Sequence, residues 1–465
     1  MIAVSGFTGR TIGVLGLARS GRAAAAALAA GGAAVLAWDD KAAVRDAVAG
    51  DIPIVAPDIP IVAPGDPRWR RIAALVLSPG IPHSFPKPHP VVERARADGA
   101  EIIGDIELLY RAQPRARFVG ITGTNGKSTT TALIGHILRE AGVTTEIGGN
   151  LGTAALSLAP LGPDGVYVLE ASSYQLELLN TLAFDVAILL NITPDHLDRH
   201  GGMDGYIAAK ERIFDRQSGA ASAIVGIDDP ICAALAERLR ARGGPLVLPI
   251  AVGGPAPGGV YIDGGWLVDA IDAAPRRVLE LAAVERLPGA HNWQNAGAAY
   301  AAARRIGVSP EAATAAIRSF PGLAHRQELV DTIEGVRYIN DSKATNADAS
   351  EKALVCYPDI YWIAGGLAKA GGITPLAPYF GRLRHTFLIG NATEEFAATL
   401  DGKAPFTRCG DLATAVTAAA SQARADAMPG AVVLLSPACA SFDQFTDFEA
   451  RGDRFRELVA QMRRR

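Results

Sequence analysis

Three times along this chain, short β-branched or aliphatic runs alternate with Ala-rich stretches at helical spacing. This alternation predicts parallel sheets covered by helices. In the first block "TIGVLG" (11–16), "AAVLAWDD" (33–40) and "AALVLSPG" (73–80) read as strands. The second block runs through "RFVGITG", "GVYVLEAS" (165–172), "DVAILLNITPDH" (185–196) and "ASAIVGIDD" (221–229). The third holds "GVRYINDS" (335–342), "DIYWIAGG" (359–366), "HTFLIGN" (385–391) and "AVVLLSPAC" (431–439). Polar or glycine residues follow each strand, where open α/β sheets place their ligands.

A length of 465 residues exceeds what one hydrophobic core usually organises, so three domains are expected. Hydrophobic residues make up 49% and charged residues 20%, which suits a packed soluble protein. A net charge of -3 gives no footprint for nucleic acid. Cys232, Cys356, Cys409 and Cys439 lie far apart with no CxxC pair, so a disulfide framework and a thiolate zinc site are both unsupported and a reducing cytoplasm is expected. "MIAVSGFTGR" does not read as a secretory signal. The uncharged run Ala23 to Trp38 is too short to span a membrane and is interrupted at Gly31-Gly32, so a helix followed by a strand is expected there. "DIPIVAP" occurs at 51–57 and again at 58–64; its prolines predict an extended surface insertion without a function of its own.

The chemistry concentrates in "GITGTNGKSTT" (120–130), between an apolar strand and a helical pattern. A glycine-rich strand-to-helix turn points N–H groups at phosphate, and the helix N-terminus adds its positive end. The strict P-loop spacing wants a glycine where Ile121 stands. Gly123, Thr124, Asn125, Gly126, Lys127, Ser128 and Thr129 nonetheless form a phosphate cradle, with Lys127 for the β/γ-phosphates and Ser128 or Thr129 for Mg²⁺. Two further strands end on Glu170 and on Asn191, Thr193, Asp195 and His196; if these strands neighbour the phosphate loop, Glu170 and His196 face the γ-phosphate and its metal. His196 and His200 have zinc-helix spacing, but Pro194 predicts a loop, and zinc is not expected. Taken alone, Lys210 of "YIAAKERIF" reads as a surface lysine, and "NDS" (340–342) reads as a turn and helix cap.

The loop "GTNGKSTT", the strand end "LEASSYQLE", "NITPDHLDRH" with "AAKERIF", "GAHNWQN" (289–295), "HRQELV" (325–330), "NDSKATN" (340–346) and "SPACASFDQFTDFEARGDRF" (436–455) together resemble the Mur ligases over nearly the whole chain. The resemblance implies an α/β fold with a Rossmann-like N-terminal domain (1–114) binding a UDP-linked substrate, a central P-loop-type ATPase domain (115–319) with a mostly parallel sheet, and a Rossmann-like C-terminal domain (320–465) binding an amino acid. It implies a cytoplasmic monomer that spends ATP, with two Mg²⁺ ions, to join D-glutamate to UDP-N-acetylmuramoyl-L-alanine through an acyl phosphate. Lys127, Glu170, His196 and Lys210 would be catalytic, and Ser128, Glu170, His196 and a carbamylated Lys210 would serve the metal. Asn295 would lie near the adenine with His291 and Asn292 in support, Arg326 towards phosphate and Asp341 towards ribose. Ala18, Arg19, Asp40, Lys41, Gly80 and Asn150 would contact the UDP-linked substrate; Lys343, Thr345, Lys369, Ser441 and the backbone at Phe448 would hold the glutamate.

Alternatives differ by visible features. A diaminopimelate-adding ligase would carry "DNPR", which is missing, and a folate ligase would lack the first block. An L-glutamate-adding variant fits the pocket residues equally. A NAD-dependent oxidoreductase would need GxGxxG, whereas "GVLGLARSG" has glycines at 13, 16 and 21.

Overall fold

The computed structural model describes residues 1–51, 61–150, 152–272, 274–369 and 371–463, and the account below is of these. Three sheets follow one another along the chain. The first holds β1 (Thr11–Leu15), β2 (Ala34–Trp38), β3 (Ala74–Leu77) and β4 (Glu101–Ile103), all parallel, in the order β2-β1-β3-β4. The second holds β5 (Arg117–Thr122), β6 (Thr145–Gly149), β7 (Val166–Glu170), β8 (Val186–Leu189), β9 (Ser222–Gly226), β10 (Leu246–Ala251), β11 (Val260–Asp263), β12 (Trp266–Asp269) and β13 (Arg276–Glu280). Their order is β13-β12-β11-β10-β9-β8-β5-β7-β6, parallel except where β12 pairs with β11 and β13. The third holds β14 (Glu328–Ile333), β15 (Val336–Asn340), β16 (Ile360–Gly365), β17 (Leu383–Ile389), β18 (Phe406–Gly410) and β19 (Val432–Leu435), ordered β14-β15-β19-β16-β17-β18 with only the β14–β15 pair antiparallel. The fold is mixed α/β, as the alternation predicts.

The inner strands of these sheets are covered on both faces, which is why they read as unbroken apolar runs. In β16, Ile360, Trp362 and Ala364 enter one hydrophobic cluster while Tyr361 and Ile363 enter the cluster on the opposite face. The chain forms two compact units: Met1–Leu281 with Asn292–Ser319, and Ala282–His291 with Phe320–Arg465. The first two sheets share a core in the first unit, where Ile12, Val14 and Val76 join Phe118, Leu169 and Leu189. No helix among the described residues is long and apolar enough to cross a membrane. Residues 52–60, most of the repeated "DIPIVAP", lie outside the described residues; just after them Ile61 bridges Ala37 and Val62 is buried.

Candidate active site

In the second sheet β5 lies between β7 and β8, and all three are parallel. Their C-terminal ends therefore deliver three loops to one place. The loop after β5 turns at Gly126, whose φ of +85° suits glycine, and opens the helix Lys127–Glu140. The chain after β8 holds this loop by hydrogen bonds. Thr124 N donates to Asn191 O, Asn125 N to Asn191 Oδ1, and Thr124 Oγ1 to Thr193 O. Gly120 is no part of the turn: it sits within β5, where a Cβ would come within 2.6 Å of the Phe184 ring. The turn is framed by Gly123 and Gly126, both with positive φ.

Register places Ile121 opposite Glu170, so the carboxylate at the end of β7 stands beside the start of the helix. Ser128 Oγ donates to Glu170 Oε2 at 2.7 Å, and Asn150 Nδ2 donates to Oε1 at 2.9 Å. Ser128 and Glu170 are both buried. Two hard oxygen donors at a phosphate loop suit Mg²⁺, which takes one or two carboxylates and fills its shell from phosphate and water.

Lys210 is 2% exposed. Its Nζ donates to Gly123 O at 2.9 Å and lies 4.7 Å from the Tyr206 ring centre. Lys127 Nζ donates to the same carbonyl, also at 2.9 Å, and to Thr124 O. Burial, and then the charge of Lys127, bring the Lys210 amine down to about 7. The surface reading of Lys210 is thus overturned: it is buried behind the phosphate loop, where its charged form is disfavoured.

His196 follows Asp195 in the chain beyond β8. It has a left-handed φ of 51°, and its ring lies 5.4 Å from that of Tyr174, with Nε2 3.5 Å from Asp195 Oδ2. The segment after it is a short helix, Leu197–His200, where a loop was expected. Asn295 packs against the loop, its Oδ1 where a Gly126 Cβ would stand, and bonds Asn292 at 3.4 Å.

In the first sheet the loops after β1, β2 and β3 meet. Leu17 N donates to Asp39 Oδ2 and Ser78 Oγ to Gly16 O. Asp39 is thereby spent on the turn beside Ala18, while Asp40 is held by Trp38 Nε1 and His89 Nε2. Gly80 and Lys41 are exposed at this edge, and Arg19 Nη2 reaches Asn150 O at 3.3 Å.

In the second unit Asp341 is buried, accepting from Ser436 Oγ and Gln327 N, and burial raises its carboxyl to about 7. Lys343 Nζ lies 3.7 Å from the centre of the Phe448 ring. Ser441 is buried, Thr345 half-buried and Lys369 exposed. His291 bonds Gln327 Nε2 at 3.2 Å, and burial lowers it to about 4. Arg326 follows His325, whose left-handed φ of 59° begins a tight bend.

The Mur ligase middle-domain family model matches residues 121–303. The chain is 56% identical to a Paramagnetospirillum magneticum protein named UDP-N-acetylmuramoylalanine--D-glutamate ligase, over 99% of this chain and 98% of that one. It is 54% identical to the protein of that name from Rhodospirillum rubrum, over 98% and 95%. The chain belongs to the Mur ligase family. Among solved structures, the UDP-N-acetylmuramate-alanine ligase of Thermotoga maritima aligns with a TM-score of 0.57 at 17% identity, covering 97% of this chain and 100% of that one. The MurF ligase of Thermotoga maritima in complex with ADP aligns at 0.55 and 18%, covering 80% and 92%. Both are likenesses of fold.

Within this Mur ligase the sequence reading missed Tyr206, whose hydroxyl lies 3.1 Å from Thr124 Oγ1. Its spacing of four from Lys210 on one helix was the available signal. Glu177 was missed too, since nothing local in "SYQLELLN" (173–180) separates it from a surface side chain, and His200 was weighed only for zinc.

Proposed function

We propose that this Mur ligase adds D-glutamate to UDP-N-acetylmuramoyl-L-alanine with cleavage of ATP, as a cytoplasmic step of peptidoglycan precursor synthesis. The carrying observation is the 56% identity, over 99% of the chain, to a relative bearing that activity as its name. The phosphate loop with Ser128, Glu170 and Lys210 around it supplies the matching chemistry.

The alanyl carboxylate attacks the γ-phosphorus, the bond to ADP breaks, and an acyl phosphate forms. The glutamate amine then attacks the acyl carbon and phosphate leaves. Neither step needs a protein nucleophile, so the chain's work is alignment and charge neutralisation. Backbone N–H groups of Gly123 to Thr129 cradle the phosphates, and Lys127 turns from its loop carbonyls to the β/γ oxygens. Ser128, Glu170, His196 and Lys210 would hold Mg²⁺, which neutralises phosphate charge when bound. The uncharged Lys210 amine attacks CO₂, forming an N–C bond and losing a proton, and becomes an anionic carbamate. Asn292, Asn295, Arg326 and Asp341 serve the nucleotide; Ala18, Arg19, Asp40, Lys41, Gly80 and Asn150 serve the UDP-linked substrate; Lys343, Thr345, Lys369, Ser441 and Phe448 serve the glutamate.

The test is phosphate release with ATP, Mg²⁺, UDP-N-acetylmuramoyl-L-alanine and either glutamate enantiomer. Release with the D form alone is expected. Release with L-glutamate in preference, or with neither, overturns the assignment.

A further inference from the structure

The first and second sheets are joined by a polar seam that no step above uses. Its centre is Glu177, in the turn after the helix Ser173–Leu176. Each of its oxygens takes a histidine. Oε2 lies 2.9 Å from Nε2 of His83, on the loop that follows β3 and Gly80, and Oε1 lies 3.3 Å from Nδ1 of His200, in the helix behind His196. His83 is fixed on its own side, since Arg96 Nη1 donates to its carbonyl at 2.7 Å. His200 is fixed on the other, with Nε2 2.9 Å from Ser173 Oγ and its ring stacked on Tyr174. Between them Arg199 Nη2 donates to Ile81 O, one residue past Gly80, and the guanidinium lies over the Tyr174 ring.

The seam continues at both ends. Towards the nucleotide loop, the His200 ring meets that of Tyr206 at 5.4 Å, and the Tyr206 hydroxyl reaches Thr124. Towards the first sheet, Ser78, two residues before Gly80, is bonded to the Gly16 carbonyl. A contiguous line of packed and hydrogen-bonded groups thus runs from the Gly16 and Gly80 turns to the phosphate loop. Arg199 adds a second observation. Its Nε and Nη1 are buried with no protein acceptor, which native interiors seldom tolerate and which marks the seam as a place held for more than packing.

We propose that Glu177 is a positioning residue for the UDP-linked substrate, holding the loop Ser78–His83 against the helix Leu197–His200 so that the substrate's two ends meet a pre-set geometry. The inference rests on the function proposed above. Glu177 touches no reacting atom; it acts through His83 and His200. A strap of this kind belongs to substrate binding rather than to ATP binding, because the loop it fixes carries Gly80 while the phosphate loop has its own bonds to Asn191 and Thr193.

The experiment measures KM for UDP-N-acetylmuramoyl-L-alanine and for ATP, with kcat, in wild type, Glu177→Gln, His83→Asn and the double variant. Each single variant should raise the KM for the UDP-linked substrate about tenfold while the KM for ATP stays within about twofold. The double variant should be little worse than either single one, because both remove the same link. His83→Asn lies on a loop and keeps the test open should Glu177→Gln fail to fold. Equal rises in both KM values, unchanged values, or additive effects overturn the proposal. Wild type inactive on this substrate would instead defeat the function assigned above, and the two failures are distinguishable.

Discussion

Two lysine amines converge on one carbonyl, that of Gly123, and the charge of Lys127 adds to burial in disfavouring the charged form of Lys210. Carbamylation would turn that repulsion into attraction for Lys127. Lys210→Ala should therefore lower kcat by on the order of 10²-fold or more, and Lys210→Arg should not restore it, since guanidinium cannot take up CO₂. Steady-state rates check this, and a fully active Lys210→Arg enzyme sinks the carbamate. Asp341 offers a pH test. Its carboxyl is raised from 3.8 to about 7, so the folded state holds the proton more tightly than the unfolded chain. Its contribution is fully present below about 3.8 and is lost as pH rises through about 7, by at most about 4 kcal/mol. Asp341→Asn keeps an acceptor for Gln327 N and should be the more stable protein at pH 8, with the difference gone at pH 4, in urea titrations. An unchanged difference between the two pH values defeats the account. Residues of the phosphate loop and Glu170 were legible because strand-end position reveals them; the burial of Lys210, and the roles of Tyr206 and Glu177, depend on neighbours distant in sequence.

At the scale of elements, the turn between β5 and its helix is set by backbone conformation and by lack of space together. Gly126→Ala would put a Cβ 2.3 Å from Asn295 Oδ1 at a φ of +85°. A loss of about 1–3 kcal/mol in stability and at least about a tenfold rise in the KM for ATP should follow. Thermal melts and kinetics measure both, and an unaffected KM would show that the loop does not cradle the nucleotide. The strands flanking functional loops, β1, β3, β5, β7, β8, β15 and β19, were readable as apolar runs buried on both faces. The β11–β12 hairpin was passed over although Gly264-Gly265 separates two alternating runs, a hairpin signal in itself. The short helix after His196 was masked by Pro194, which reads as a loop signal yet leaves room for a single helical turn three residues on.

As a whole molecule the chain carries two bodies, each with its own hydrophobic clusters. Each is expected to unfold as a step of its own, so calorimetry should resolve two transitions. UDP at 100 times its Kd should stabilise only the body that holds the first two sheets, by about 2.7 kcal/mol. A single transition, or an equal shift of both, contradicts this. Three sheets and their order were implied by the alternation of runs, but the sequence offered no sign that Ala282–His291 belongs with Phe320–Arg465 while Asn292–Ser319 returns to the first body. That excursion matters during synthesis. Ala282–His291 leaves the ribosome before any other part of its body exists, and at typical elongation rates it waits on the order of ten seconds for its partners. A nascent chain cut short near Ser319 would hold the whole of the first body and one orphaned segment of the second, a ready mark for quality control.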